Sequence, residues 1–329
     1  MRRFSSAFVA LALALLGGAP ARAESPAPAE PAAVEPPRAP RAEAPAPAPF
    51  GEWTPYRTEM AAGALNPRGV ETSWMFGARR GLWRSDSVLL GNTYAIAGLA
   101  PALNPSSSRV GPAFEIQPLA CFRLSGNAEL VQYFATFGNL QGFSSPLADA
   151  SDAARARTAN SAQAARAMHA SLEPLLQAKA GVIAVRAHAK AEYWDASLRR
   201  GDTVFYAPNL DMLVPNRGFV LSEGAEMLLL PRDGLVLGAR VAETHALFRR
   251  SDYRPGEAIA DPNRQAQAGL LAAWSPARAA ARRFPGKPTF FALGGWYLEH
   301  RYRASTAAAR ATPNVVAGVS FELDGAHGR

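Results

Sequence analysis

Between residues 183 and 193 the chain alternates. Ile183, Val185, Ala187, Ala189, Ala191 and Tyr193 are apolar, and Arg186, His188, Lys190 and Glu192 stand between them. A period of two places these sets on opposite faces of a strand, whereas a helix would mix them. Residues 168–179 repeat the pattern: Met168, Ala170, Leu172, Pro174, Leu176 and Ala178 oppose His169, Ser171, Glu173, Gln177 and Lys179, with Leu175 out of step. Near the C-terminus Val315, Ala317, Val319, Phe321 and Leu323 alternate with Val316, Gly318, Ser320, Glu322 and Asp324. A globular strand has about 5 to 6 residues, and a tilted strand crossing a bilayer about 9 to 11. These stretches have the longer, membrane-spanning length.

Extended along the chain, the pattern predicts twelve strands, near 54–63, 70–80, 87–98, 110–122, 128–139, 167–178, 182–194, 217–230, 234–247, 265–276, 288–302 and 313–323. An even number suits a closed single-chain barrel with both ends on one side. Tight turns are expected at Ser125-Gly126-Asn127, Lys179-Ala180-Gly181 and Arg232-Asp233-Gly234, where the side chains suit a sharp reversal. Longer loops are expected at 99–109, 140–166, 195–216 and 248–264, and a barrel of this kind carries its long loops on the outer side. The 140–166 segment, rich in Ala, Ser and Arg, suits either a short helix or disorder. Trp83, Trp194, Trp274, Tyr193, Tyr302 and Phe290 fall near expected strand ends, where amphipathic rings meet lipid head groups.

The first 23 residues have a different organisation. Arg2 and Arg3, the apolar run Ala7 to Leu16 and the small-residue site Ala21-Arg22-Ala23 form a secretory signal peptide with cleavage between Ala23 and Glu24. Ten apolar residues are too few for a helical span, which needs about 20. Residues 24–52 are mostly Pro, Ala and Glu and predict a disordered, partly polyproline linker, leaving 53–329 for the barrel. The lone Cys121 rules out an intrachain disulfide framework. Removing Arg2, Arg3 and Arg22 reduces the formal charge from +8 to +5. With three lysines and arginines scattered as pairs, the chain lacks the basic stripe of a nucleic-acid binder.

The signal peptide, the alternating segments and the terminal strand 315–323 together resemble the Gram-negative outer-membrane β-barrel class. That resemblance spans about 54–323 and implies an all-β, antiparallel up-and-down transmembrane barrel of about 12 strands, without naming a subfamily. Many members of the class end on an aromatic residue, whereas here the chain continues from Asp324 to Arg329. Outer-membrane lipid and lipopolysaccharide are the expected surroundings. Arg155, Arg157, Arg199, Arg200, Arg249 and Arg250 are placed in outer loops where they can meet lipopolysaccharide phosphates.

With the apolar faces toward lipid, Glu115, Gln117, His169, Glu173, Arg186, His188, Lys190, Glu192, Glu226 and Arg240 face the lumen, as do Ser171 and Gln177. A wet lumen of mixed charge suits a porin-like channel for small solutes, and cross-strand pairing would instead give a plugged, structural barrel. His169-Ala170-Ser171 also resembles the H-x-S element of outer-membrane phospholipases and lipid A deacylases, which implies a base beside a serine nucleophile. Leu172 stands where those enzymes commonly carry Asn, and no orienting residue can be picked from the sequence. His188, His245 and His300 are isolated, no cofactor fingerprint is present, and no metal spacing is found.

Overall fold

The computed structural model describes residues 50–232, 234–260, 263–276 and 286–324. The signal peptide, its Ala23/Glu24 cleavage site and nearly all of the 24–52 linker lie outside them. Seventeen strands are numbered along the chain. Fourteen of them form one sheet: β1 (Thr54–Leu65), β2 (Gly69–Gly81), β3 (Tyr94–Leu99), β4 (Ala102–Asn104), β5 (Ser107–Val110), β6 (Pro112–Leu119), β7 (Phe122–Phe134), β9 (Ala164–Ala180), β10 (Ile183–Ala196), β13 (Gly218–Arg232), β14 (Leu235–Leu247), β15 (Arg264–Trp274), β16 (Lys287–Glu299) and β17 (Asn314–Asp324). A separate small sheet joins β8 (Gly142–Phe143), β11 (Val204–Ala207) and β12 (Met212–Pro215).

The large sheet closes on itself, because β1 pairs with β17 from Tyr56↔Asp324 to Leu65↔Val315 as well as with β2. β3 and β4 are one interrupted stave, both paired with β2, and β5 and β6 are another, both paired with β7. The result is a closed barrel of twelve antiparallel staves. Closure leaves no unpaired edge, which is the condition for backbone to lie in hydrocarbon.

One end of the barrel carries Thr54, Asp324 and the tight reversals at 120–121, 181–182 and Gly234. The other carries the segments 135–163, 197–217, 248–260 and 300–313. These are termed the turn end and the loop end. Gly181 and Gly234 sit at φ +58° and +75°, where a side chain is disfavoured, so the reversal at each site favours glycine.

The strand positions agree closely with the alternation at β1, at β2 and from β9 onward, and are shifted in the third to fifth staves. Residues 125–127 are the middle of β7 and not a turn, and the third to fifth staves run 94–104, 107–119 and 122–134. The expected 99–109 loop is strand on both sides of a tight turn at Pro105-Ser106, and the longer connection is 82–93. The reason is local. The Asn104 side-chain oxygen accepts from the backbone N–H of Ser106 at 2.9 Å and of Ser107 at 2.8 Å, a turn that Asn makes unaided. Gly126 mimics a turn residue in the sequence, but a Cβ there would lie 2.8 Å from the Phe114 ring and 2.9 Å from the Ser171 carbonyl oxygen. It permits a close approach between strands. In the 140–166 segment the structure has β8 and a short helix, Asp152–Arg157, capped by Ser151.

Candidate functional site in the barrel lumen

Alternate residues of each stave separate two surfaces. Leu99, Phe114, Leu130, Met168, Leu172, Leu176, Met227, Val241 and Leu270 are exposed on the outside, where they would form an apolar belt. Trp274 stacks on Phe290 at 5.8 Å near the turn end, and Tyr193 meets Phe219 at 5.2 Å near the loop end. Trp83 is exposed in the 82–93 connection. Two expected belt residues are elsewhere. Trp194 faces inward, 3% exposed, and Tyr302 belongs to the loops, where its hydroxyl accepts from the Ala150 N–H at 2.8 Å. Position near a strand end does not fix the face a ring occupies, as at Trp194, and β16 ends at Glu299, which leaves Tyr302 in the loop that follows.

The ten charged and polar residues expected in the lumen all lie on the inward-facing registers. Glu115 pairs with Arg123 at 3.8 Å and accepts from the Tyr94 hydroxyl at 2.5 Å. Gln117 donates to the Asn92 carbonyl at 2.7 Å. Arg186 donates through two nitrogens to one Glu226 oxygen. His188 lies over Gly224, where an added Cβ would be 2.7 Å from its ring. Arg240 sits opposite Glu226 in the β13–β14 register, and Glu173 opposite Ser125 in the β7–β9 register.

The densest constellation lies toward the loop end and draws its residues from five staves. Arg109 contacts Glu71 at 2.6 Å and Glu129 at 3.8 Å. Glu129 contacts His169 Nδ1 at 2.9 Å, and His169 Nε2 contacts Glu192 at 3.0 Å. Lys190 closes the row by donating to Glu192 at 3.0 Å, and Trp194 stacks on the His169 ring at 4.1 Å. Glu129 and His169 are 4% exposed by side chain and Glu192 2%. Buried charge persists only when paired and hydrogen-bonded, and here each carboxylate has both an imidazole and a cation.

This geometry separates His169 from Ser171 chemically. Both ring nitrogens of His169 are engaged by carboxylates, and the Ser171 hydroxyl donates to the Asn127 side-chain oxygen at 2.7 Å. The sequence offered no orienting residue for either. Glu129, Glu192 and Asn127 were missed because they come from neighbouring strands, and only the register Glu129↔His169, Asn127↔Ser171 and Glu192↔Ser171 brings them together. Among the described residues no group of three or more His, Cys, Asp or Glu converges as metal ligands.

Above this row sits the β11–β12 hairpin, the main feature with no signal in the alternation. Val204, Phe205, Leu213 and Val214 are 0% exposed. One face of the hairpin packs on inward residues of the wall, Val131, Tyr133, Ala165, Trp194, Val220 and Ala246. The other packs under Phe143, Ala148, Phe248 and Tyr302 from the surrounding loops. Two four-residue apolar runs, Val204–Ala207 and Met212–Pro215, separated by Pro208-Asn209-Leu210-Asp211, are a buried-strand signal, within the segment expected as the 195–216 loop.

Asp211, at the hairpin reversal, fastens it. Its carboxylate accepts from the Tyr206 hydroxyl at 2.5 Å and from Arg303 at 2.8 and 3.1 Å, and its carbonyl accepts from His300 Nε2 at 2.9 Å. Arg303 also pairs with Asp152. Burial and the adjacent Asp211 push the Tyr206 phenol well above its usual pKa. His300 moves down: burial outweighs the pull of Asp211, and its Nδ1 already accepts from the N–H groups of Tyr302 and Arg303 at 3.1 and 3.0 Å. Gln265 on the wall donates to the Leu210 carbonyl at 2.9 Å.

The loop arginines take different roles. Arg155 lies over the Tyr206 ring at 3.7 Å and pairs with Asp152, and Arg249 and Arg250 bond within the loops. Arg157, Arg199 and Arg200 are exposed. His245 falls on the outward register of β14, alongside exposed Val241 and Leu247.

No protein-family model matches the chain, and no curated protein matches it. Among solved structures, the NanC porin aligns over 81% of this chain and 100% of its own at 8% identity and a TM-score of 0.37. The beta domain of the Bordetella autotransporter Brka aligns over 82% and 99% at 13% identity and a TM-score of 0.40. The translocator domain of the autotransporter NalP from Neisseria meningitidis aligns over 82% and 87% at 11% identity and 0.35. Similarity at this level carries no argument about activity. The outer-membrane β-barrel fold rests on the chain's own closed ladder of twelve staves, apolar outside and polar within.

Proposed function

We propose that the chain is an outer-membrane solute channel whose loop end is held shut by the β11–β12 hairpin. The observation that carries this reading is an apolar plug over a charged wall. Val204, Phe205, Leu213 and Val214 of the hairpin are fully buried at the loop end, whereas the inward side chains of Arg123, Glu115, Arg186 and Lys190 below it are 29 to 35% exposed. Charged side chains that keep contact with solvent below a removable apolar plug suit a gated conduit for small polar or charged solutes.

The same reading supplies a setting. The apolar belt suits a bilayer, residues 1–23 suit export, and exposed Arg157, Arg199 and Arg200 at the loop end suit contact with lipopolysaccharide phosphates. A serine hydrolase draws less support, since Ser171 bonds Asn127 and His169 is enclosed by glutamates. If Ser171→Ala abolished a lipid-hydrolysing activity present in the parent, the hydrolase would replace the channel.

Planar-bilayer recording tests the channel directly. The refolded parent is expected to show rare, brief conductance steps. Replacement of 204–215 by a Gly-Ser linker should give steady conductance, with the heat-modifiable gel migration of a closed barrel retained in both. Absence of steps in both proteins overturns the proposal.

A further inference from the structure

The outer face of the barrel is not apolar throughout. Strand register places Glu223 of β13 directly opposite Glu243 of β14, and both fall on the outward set with Met227 and Val241. Their neighbours in the same row are Ala189 on β10 and Ala266 on β15. Along β13, Glu223 lies four residues from Phe219, which meets Tyr193 near the loop end. At about 3.3 Å per residue and a tilt of about 40°, the carboxylates sit roughly 10 Å inside the apolar belt.

The two glutamates are not equivalent. Glu243 holds Arg264 of β15 at 2.7 Å. Arg264 stands opposite His245, two residues nearer the loop end than Glu243, so its guanidinium reaches back to the level of the carboxylates. Glu223 is exposed and, among the described residues, makes no hydrogen bond or ion pair. Hydrocarbon gives a carboxylate nothing to pair with, and lipid phosphates repel it. The relief around it is low, since Ala189, Ala225, Ala266 and Ala268 surround the two glutamates, whereas β6, β7 and β9 present Phe114, Leu130, Met168 and Leu172.

We propose that the outer face of β13, β14 and β15 is the contact surface for a second copy of this chain, related by a two-fold axis that runs along the membrane normal beside β14. Such an axis sets β13 of one copy against β15 of the other and preserves depth in the membrane. Glu223 of each copy then meets Arg264 of the other, at the level where Arg264 already holds Glu243. His245, on the axis strand, offers a further donor. A carboxylate without a cation and the one arginine at its depth lie on the same face, which is the self-complementarity that an isologous contact requires. The alanines let two walls approach closely, the packing by which membrane proteins associate where burial of apolar surface offers no gain over lipid. The contact lies outside the barrel and holds whether or not the lumen conducts.

Cross-linking of the refolded full chain in phospholipid vesicles tests it, with Cys121→Ser as the background and one reporter cysteine. Val241→Cys, beside the axis, should be joined into a dimer by a short bis-maleimide, and Leu172→Cys, on the outer face of β9, should not. Glu223→Arg or Arg264→Glu alone sets like charges across the contact and should weaken dimer formation at least about tenfold. Mixing the two variants restores opposite charges at both Glu223–Arg264 contacts and should recover the dimer, which no contact with lipid can produce. Heat-modifiable migration confirms that each variant has folded. A Val241→Cys protein that stays uncross-linked, or a mixture that associates no better than either variant alone, overturns the proposal. Cross-linking that follows added lipopolysaccharide and divalent cation but ignores both charge exchanges assigns the face to lipid and overturns it as well.

Discussion

At the scale of single residues, the alternation told which side chains point inward but not what they meet. His169 was assignable to the lumen because it alternates with Met168 and Ala170. Its partners Glu129 and Glu192 lie 40 and 23 residues away and meet it only through strand register. The H-x-S spacing was visible for the same reason and carries little chemistry, since neighbours on one strand face share a direction without touching. Two substitutions separate these roles. His169→Leu strands two buried carboxylates beside Arg109 and Lys190 and should cost about 3 to 5 kcal/mol, the scale for breaking a buried charge network. Ser171→Ala removes a single hydrogen bond to Asn127 and should cost about 1 kcal/mol. Denaturant unfolding in detergent micelles measures both, and equal effects would refute the assignment of His169 as the centre of the network.

At the scale of elements, length and period locate β1, β2 and every stave from β9 onward, whereas small residues misplace the third to fifth. A glycine in a sequence signals either a reversal or a place where backbones touch, and only the partner strand decides. Gly126 is the second kind. Gly111 is the more demanding case: it lies between β5 and β6, and a Cβ there would be 1.9 Å from the Ala128 carbonyl oxygen on β7. Gly111→Val should therefore separate that stave from β7 and prevent closure, so that the variant runs in gels as unfolded chain before heating. Retention of the compact, heat-modifiable band would show that the wall tolerates a side chain at this position. The hairpin escaped notice for another reason. Its two strands have four residues each, buried on both faces, so they show no alternation at all.

At the scale of the whole molecule, barrel and cap are held by different forces and should come apart under different conditions. The barrel is a continuous hydrogen-bonded ladder with no edge at which to begin unzipping. The cap is a small apolar core fastened by Asp211, Arg303 and His300. Its weak point is His300, whose imidazole is held neutral: burial lowers its pKa, and Nδ1, the nitrogen that would take the proton, accepts two backbone N–H groups. The groups facing it are Asp211, Arg303, Asp152, Tyr297 and Tyr302. A histidine whose pKa is lower folded than unfolded contributes stability that is complete above its unfolded value, about 6.5, and is lost as pH falls through the folded value. The Arg303 guanidinium bonded to Asp152 holds that carboxyl below the ordinary carboxylate range, so acidification from about 6.5 to 5 acts through the imidazole. In that window proteolytic cutting within 197–217 should increase and conductance should rise, with the heat-modifiable barrel band unchanged. His300→Gln keeps a donor for the Asp211 carbonyl without a titrating ring, and should flatten the pH dependence of both readouts. An identical acid response in His300→Gln would move the trigger away from His300 and leave the hairpin closed by packing alone.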